Sequence, residues 1–126
     1  MENKLLINKS FMSKTSCFKL QLFGKDCYMH TGKKNNNIWV WKKAKFNDDE
    51  LGQLILFLSN QEKTISFYHI FGDSKIQIYF NRSKYNGSTV ISPVIDKLTG
   101  KPLSKGEQIV LKILLQEIVL RKNLEY

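Results

Sequence analysis

Two periodicities divide this chain and restrict it to a mixed architecture of sheet and helix. From Cys17 to Ile95 apolar residues recur mostly at every second position, most clearly in FKLQLF, ISFYHIF and KIQIYF. A spacing of two places one set of side chains on one face of a strand. At two places the spacing becomes helical. Leu51, Leu54, Ile55 and Leu58 follow Asn47-Asp48-Asp49-Glu50, and a longer run from Ile109 to Leu120 follows Ser104-Lys105-Gly106-Glu107. Both lead-ins are capping boxes, with a side-chain oxygen at the N-cap and a glutamate three residues on.

The alternating stretches predict strands at Cys17–Phe23, Cys27–Thr31 and Ile38–Lys45, a meander turning at Gly24-Lys25-Asp26 and through GKKNNN. Thr64–Phe71 and Lys75–Arg82 predict a hairpin through Gly72-Asp73-Ser74. Thr89–Ile95 reads as an edge strand, because Pro93 has no N–H for a ladder. Leu98 to Leu103 reads as a turn. The expected fold is α+β: one antiparallel sheet of about five to six strands backed by two helices. The first helix runs from Asp48 to about Ser59, and the second, long one to about Lys122. The second helix is apolar over most of its circumference, more than one sheet requires. Its surplus apolar surface calls for a second copy of the chain or for the first helix. At 126 residues the chain reads as a single domain, residues 1–126, with residues 1–14 a flexible or edge-strand N-terminus. No internal repeat or domain boundary is evident.

Charge narrows the partner. The net charge is +9, and residues 1–45 alone carry +8. Eighteen of the 20 basic residues are lysine, a point charge suited to backbone phosphates rather than bidentate base reading. An AT-rich genome also favours lysine over arginine, but does not account for the clustering. Such a field points to a polyanion.

Enzymatic and metal-dependent classes find little support. Cys17, Cys27, His30 and His69 lack C-x₂-C or H-x₃-H spacing. The carboxylates are dispersed among helix starts and turns, whereas a metal-dependent nuclease needs them clustered. No Walker A, G-x-S-x-G or H-E-x-x-H motif occurs. No apolar run reaches membrane-spanning length, and no secretory leader is recognisable at the N-terminus. The expectation is a non-enzymatic intracellular protein, not secreted, with no metal, cofactor or membrane. Cys17 and Cys27 are expected as buried free thiols, with a disulfide the alternative.

The strand faces supply the candidate site. One face collects Phe18, Leu20, Leu22, Ile38, Val40, Ile65, Phe67, Ile76, Ile78 and Phe80 and is expected to pack under the helices. The other is polar, basic and still aromatic; Tyr28 and His30 fit either. Trp39, Trp41, Tyr68, Tyr79 and Phe23 are candidates for stacking bases. Lys19, Lys33, Lys34, Lys42, Lys43, Lys75 and Arg82 are candidates for phosphates. Unpaired bases expose π-faces that a duplex hides, so lysine beside open aromatics favours single strands. Trp39 and Trp41 lie about 7 Å apart along one strand face, the spacing of successive bases. Burial under another layer is the competing explanation for the tryptophans.

IWVWKKAKF, ISFYHIFGDSKIQIYF and LSKGEQIVLKILLQEI, spread over about residues 17–122, resemble in style and element order the small non-OB single-stranded-DNA-binding proteins of crenarchaeal rod-shaped viruses. More remotely the chain is similar to Whirly-type sheet-then-helix dimers, which bind single strands on curved sheets. The helix from Asn47 departs from a simple plan of four strands then one helix. The resemblance implies sequence-tolerant binding of single-stranded DNA, or RNA, in viral or cellular replication or recombination, by a homodimer joined through the C-terminal helix. The alternative is a viral interaction or inhibitor protein, for example an anti-defence factor, masking another macromolecule.

Overall fold

The computed structural model describes residues 4–124. Eight strands and two helices follow one another as β1 (Leu5–Met12), β2 (Ser16–Phe23), β3 (Asp26–Asn35), β4 (Ile38–Phe46), α1 (Asp48–Leu58), β5 (Thr64–Phe71), β6 (Ser74–Tyr85), β7 (Ser88–Ile95), β8 (Leu98–Thr99) and α2 (Lys105–Asn123). The strands form two antiparallel sheets, β1-β2-β3-β4 and β5-β6-β7-β8. The α+β class and the two helices agree with the sequence. The single sheet of about five to six strands does not. Short turns bind each strand to its predecessor, and α1 intervenes where β4 and β5 would have to pair.

Four strands followed by a helix therefore occur twice, so the chain holds a structural repeat that its sequence hides. Two traces remain. Both helices begin with a complete capping box, at Asn47/Glu50 and at Ser104/Glu107. The second strand of each sheet carries Lys-x-Gln-x-aromatic, as Lys19, Gln21 and Phe23 on β2 and Lys75, Gln77 and Tyr79 on β6.

β1 is the edge strand of the first sheet, in register with β2 from Leu5 opposite Phe23 to Met12 opposite Cys17. β7 was expected at an edge but is internal, lying between β6 and β8. Pro93 is tolerated there because its carbonyl accepts from Gly100 N at 2.8 Å. Its ring nitrogen faces the same side, past the two-residue β8, where no ladder asks for a donor.

Both sheets turn their inner faces to one core. Phe18, Leu20 and Leu22 from β2 and Met29 and Phe46 from β3 and β4 meet Phe67, Ile78 and Phe80 from the second sheet. Leu51, Leu54 and Phe57 of α1 and Leu111, Leu115 and Ile118 of α2 close it. Lys122 near the end of α2 bridges Asp48 at the start of α1 at 2.8 Å and ties these two helix ends together. That ammonium holds the Asp48 carboxyl below its usual range. Helix α2 is long but not apolar throughout: lysine, glutamine, glutamate and arginine occupy both ends. Ile109, Val110, Ile113 and Leu120 stay exposed, so α1 covers only part of the apolar surplus. Ile38 and Val40, expected in the core, are also exposed, because the β3–β4 hairpin overhangs the second sheet.

Arg82 explains one joint. Sequence placed it among the phosphate ligands, but its register opposite Ile91 turns it to the inner face. Its Nη2 donates to Phe57 O at 2.7 Å and its Nη1 to Glu62 O, and the guanidinium lies 4.4 Å from the Phe57 ring centroid. A cation on the last carbonyls of α1 suits the helix dipole and anchors the segment leading into β5. Arg82→Met is expected to lower stability by about 2 kcal/mol, since hydrogen bonds from a charged group are lost. Urea denaturation would register this as a lower midpoint at unchanged slope.

Candidate nucleic-acid interface

The outer face of the first sheet is a grid set by strand register. One row runs Ser10, Lys19, His30, Lys43 across β1 to β4, and a neighbouring row runs Asn8, Gln21, Tyr28, Lys45. A third row places Met12, Cys17, Gly32 and Trp41 together, and Lys34 pairs with Trp39 beyond it. Tyr28 and His30, which the sequence left unphased, belong to this face, because Cys27, Met29 and Thr31 are fully buried on the other.

Aromatic rings and ammonium groups alternate on this grid. Lys19 Nζ lies 5.1 Å from the Trp41 ring centroid and Lys43 Nζ 5.4 Å from that of Tyr28. Such cation–π contacts keep both partners ordered at little cost. Phe23 packs edge-on against Tyr28 at 6.3 Å. Trp41 remains 40% exposed and Trp39 is half-buried, so no other element of the described chain covers Trp41. Trp39 and Trp41 stack on each other at 5.5 Å with 20° between their planes. The pair is therefore one aromatic slab rather than two platforms with a slot between them.

Gly32 makes the slab possible, a point the sequence reading missed. A Cβ at Gly32 would come within 2.5 Å of the Trp41 indole, so the ring lies flat on bare backbone. This is the close approach that only glycine permits. Cys17, beside it in the same row, is fully buried and free, as is Cys27. The two thiols point to opposite faces of the sheet, which excludes a bond between them. Burial pushes the Cys27 thiol up to about 12 and also raises Cys17, against the pull of the Lys19 charge.

A hydrogen-bonded chain fixes the middle of the face. Gln21 Nε2 donates to Asn8 Oδ1 at 3.1 Å, leaving Gln21 Oε1 to accept from His30 Nε2 at 2.9 Å. Burial first, then the Lys19 and Lys43 charges on either side, lower the His30 pKa from 6.5 to about 4. The imidazole is neutral at neutral pH, and its suppressed protonation registers a positive field on this face.

The remaining candidates divide. Lys19, Phe23, Lys34, Trp39, Trp41 and Lys43 share the first sheet's outer face. Lys33 and Lys42 pair in register with Val40 and Thr31, which turns them to the opposite side. Lys33 lies in β3, since the strand continues to Asn35 and the turn is made by Asn36 and Asn37 at positive φ. Lys42 bridges Asp96 at 3.2 Å. Tyr68, Lys75 and Tyr79 lie on the outer face of the second sheet. There Lys75 Nζ sits 4.4 Å from the Tyr68 ring centroid, and Gln77 Nε2 donates to Tyr68 Oη at 3.1 Å. Together with Asp96 and Lys97 they line a cavity of about 440 Å³. Among the described residues no cluster of His, Cys, Asp and Glu is arranged to hold a metal ion, and no helix is long and apolar enough to cross a membrane.

Comparison with protein-family models and with curated proteins found no match to this chain.

The His30 environment yields a pH dependence. As pH falls below about 6.5, the unfolded chain takes up a proton that the native imidazole refuses until about 4. Stability is therefore expected to decline across that window and then level off. In His30→Gln the decline should be shallower, as read from urea midpoints measured against pH.

Proposed function

We propose that this protein binds single-stranded DNA without sequence preference, inside cells, in replication or recombination, and catalyses no reaction. The observation that carries this reading is the pairing of ammonium groups with aromatic rings on one sheet face, Lys19 with the exposed Trp41 and Lys43 with the half-buried Tyr28. Bases stack on the exposed side of the Trp39–Trp41 slab, and Lys19, Lys34 and Lys43 neutralise the phosphates alongside. The face is sequence-tolerant because stacking accepts any base and lysine reads no base edge. The doubled order of four strands and a helix adds support to the likeness with sheet-then-helix single-strand binders. In that order α1 follows four strands, as α2 does.

The protein acts as a homodimer through α2. Ile109, Ile113 and Leu120 form an exposed stripe along that helix. Set antiparallel against its own copy, the stripe brings Ile109 opposite Leu120 and Lys112 opposite Glu117. A self-complementary patch of this kind is what a two-fold interface requires.

Two experiments test these statements. Trp39→Ala combined with Trp41→Ala is expected to weaken poly-dT binding by about 2–4 kcal/mol, at about 1–3 kcal/mol per stacked base, with the circular dichroism spectrum unchanged. Affinity should fall linearly in log–log terms with salt, by about 0.7 per phosphate contacted; a flat salt titration would rule out phosphate tracking. Ile109→Glu with Ile113→Glu should convert a dimer to a monomer by light scattering. A monomeric parent at micromolar concentration would remove the dimer from the proposal.

A further inference from the structure

The repeat places a second aromatic and basic surface on the other sheet. β2 and β6 hold the same position in their sheets, second in the strand order. Each presents lysine, glutamine and an aromatic ring outward at successive alternate positions: Lys19, Gln21 and Phe23 on one, Lys75, Gln77 and Tyr79 on the other. In both, the lysine ammonium lies over an aromatic ring of the same face, 5.1 Å from Trp41 and 4.4 Å from Tyr68. In both, the glutamine is fixed by a cross-strand hydrogen bond, to His30 and Asn8 in the first sheet and to Tyr68 in the second. The fold itself does not dictate these outward residues, and a shared ligand chemistry accounts for their recurrence on both strands.

The two surfaces are separate. Between Lys45 of the first sheet and Tyr68 of the second runs a groove of about 860 Å³, lined by Asp26, Asp48, Asp49 and Glu50. Two of its three lysines are engaged, Lys45 with Asp26 at 3.0 Å and Lys122 with Asp48 at 2.8 Å, which leaves Lys25 facing this row of carboxylates. A polyanion gains nothing by crossing it.

We infer that each chain carries two single-strand sites, one on the outer face of each sheet, and that the second is centred on Tyr68, Lys75, Gln77 and Tyr79. This rests on the single-strand reading of the first face. The second site is less basic, with Asp96 on its rim beside Lys97, so it is the weaker of the two and the first to empty as salt rises.

The test is stoichiometry. Isothermal titration of the whole chain with a dT oligomer of about six nucleotides, short enough to occupy one face, should saturate at two oligomers per chain. Lys75→Glu with Tyr68→Ala alters two exposed side chains and should reduce this to one, leaving the tighter phase in place. Lys19→Glu with Lys43→Glu should remove the tighter phase and leave the weaker. One oligomer per chain at saturation, or two that persist in the Tyr68/Lys75 variant, would overturn the second site while leaving the first intact. Absence of any binding would instead overturn the single-strand reading on which both depend.

Discussion

Two edge-to-face aromatic contacts hold this protein together as one body. Phe18 of the first sheet meets Phe80 of the second at 6.0 Å and 86°, and Phe46 meets Phe67 at 5.8 Å and 82°. Each ring is buried or nearly so, and burying such a ring contributes about 1.5–3 kcal/mol before the aromatic geometry adds to it. Neither sheet has a second layer of its own: the two inner faces meet in one core, and α1 and α2 close it. Because the inner faces are committed to this shared core, everything polar, charged or surplus aromatic is left to the outer faces. The candidate interface is in this sense what the core leaves over.

The register of each strand then decides which residues become surface. A slip of one residue in β4 would turn Trp39, Trp41 and Lys43 inward. Gly32 guards against this slip, since the Trp41 indole lies flat only where the facing residue has no side chain. The same contact thus fixes the strand pairing and presents the aromatic slab. His30 and Gln21 hold the adjacent row by hydrogen bonds rather than charge, and among the described residues neither Lys19 nor Lys43 forms an ion pair.

Much of this was legible in the residues. Half-buried antiparallel strands write their faces directly into alternation, so six strands, both helices and both capping boxes could be read from the sequence. The faces of β2, β4, β5 and β6 were phased correctly, and β3 was not, because Tyr28 and His30 suit either side as well as Cys27 and Met29 do. The division into two sheets was not legible: alternation says which way a side chain points but not which strand lies beside it. Lys33, Lys42 and Arg82 were misplaced for a related reason. Alternation equates the inner face with the core, but β4 overhangs the second sheet, and Arg82 spends its charge on the carbonyls of α1. The repeat escaped notice because only the outward residues of one strand and the helix caps retain it.

The shared core has one more consequence. With both inner faces turned toward the same centre, the two outer faces look in diverging directions. A ligand that touches both must change direction between them. Double-stranded DNA, with a persistence length of about 150 base pairs, is too stiff to do so over the width of a small protein. A single strand bends within a few nucleotides. For the single-strand binding proposed above, each face would then engage its own stretch of a flexible strand, whereas a stiff duplex would lie on one face at a time.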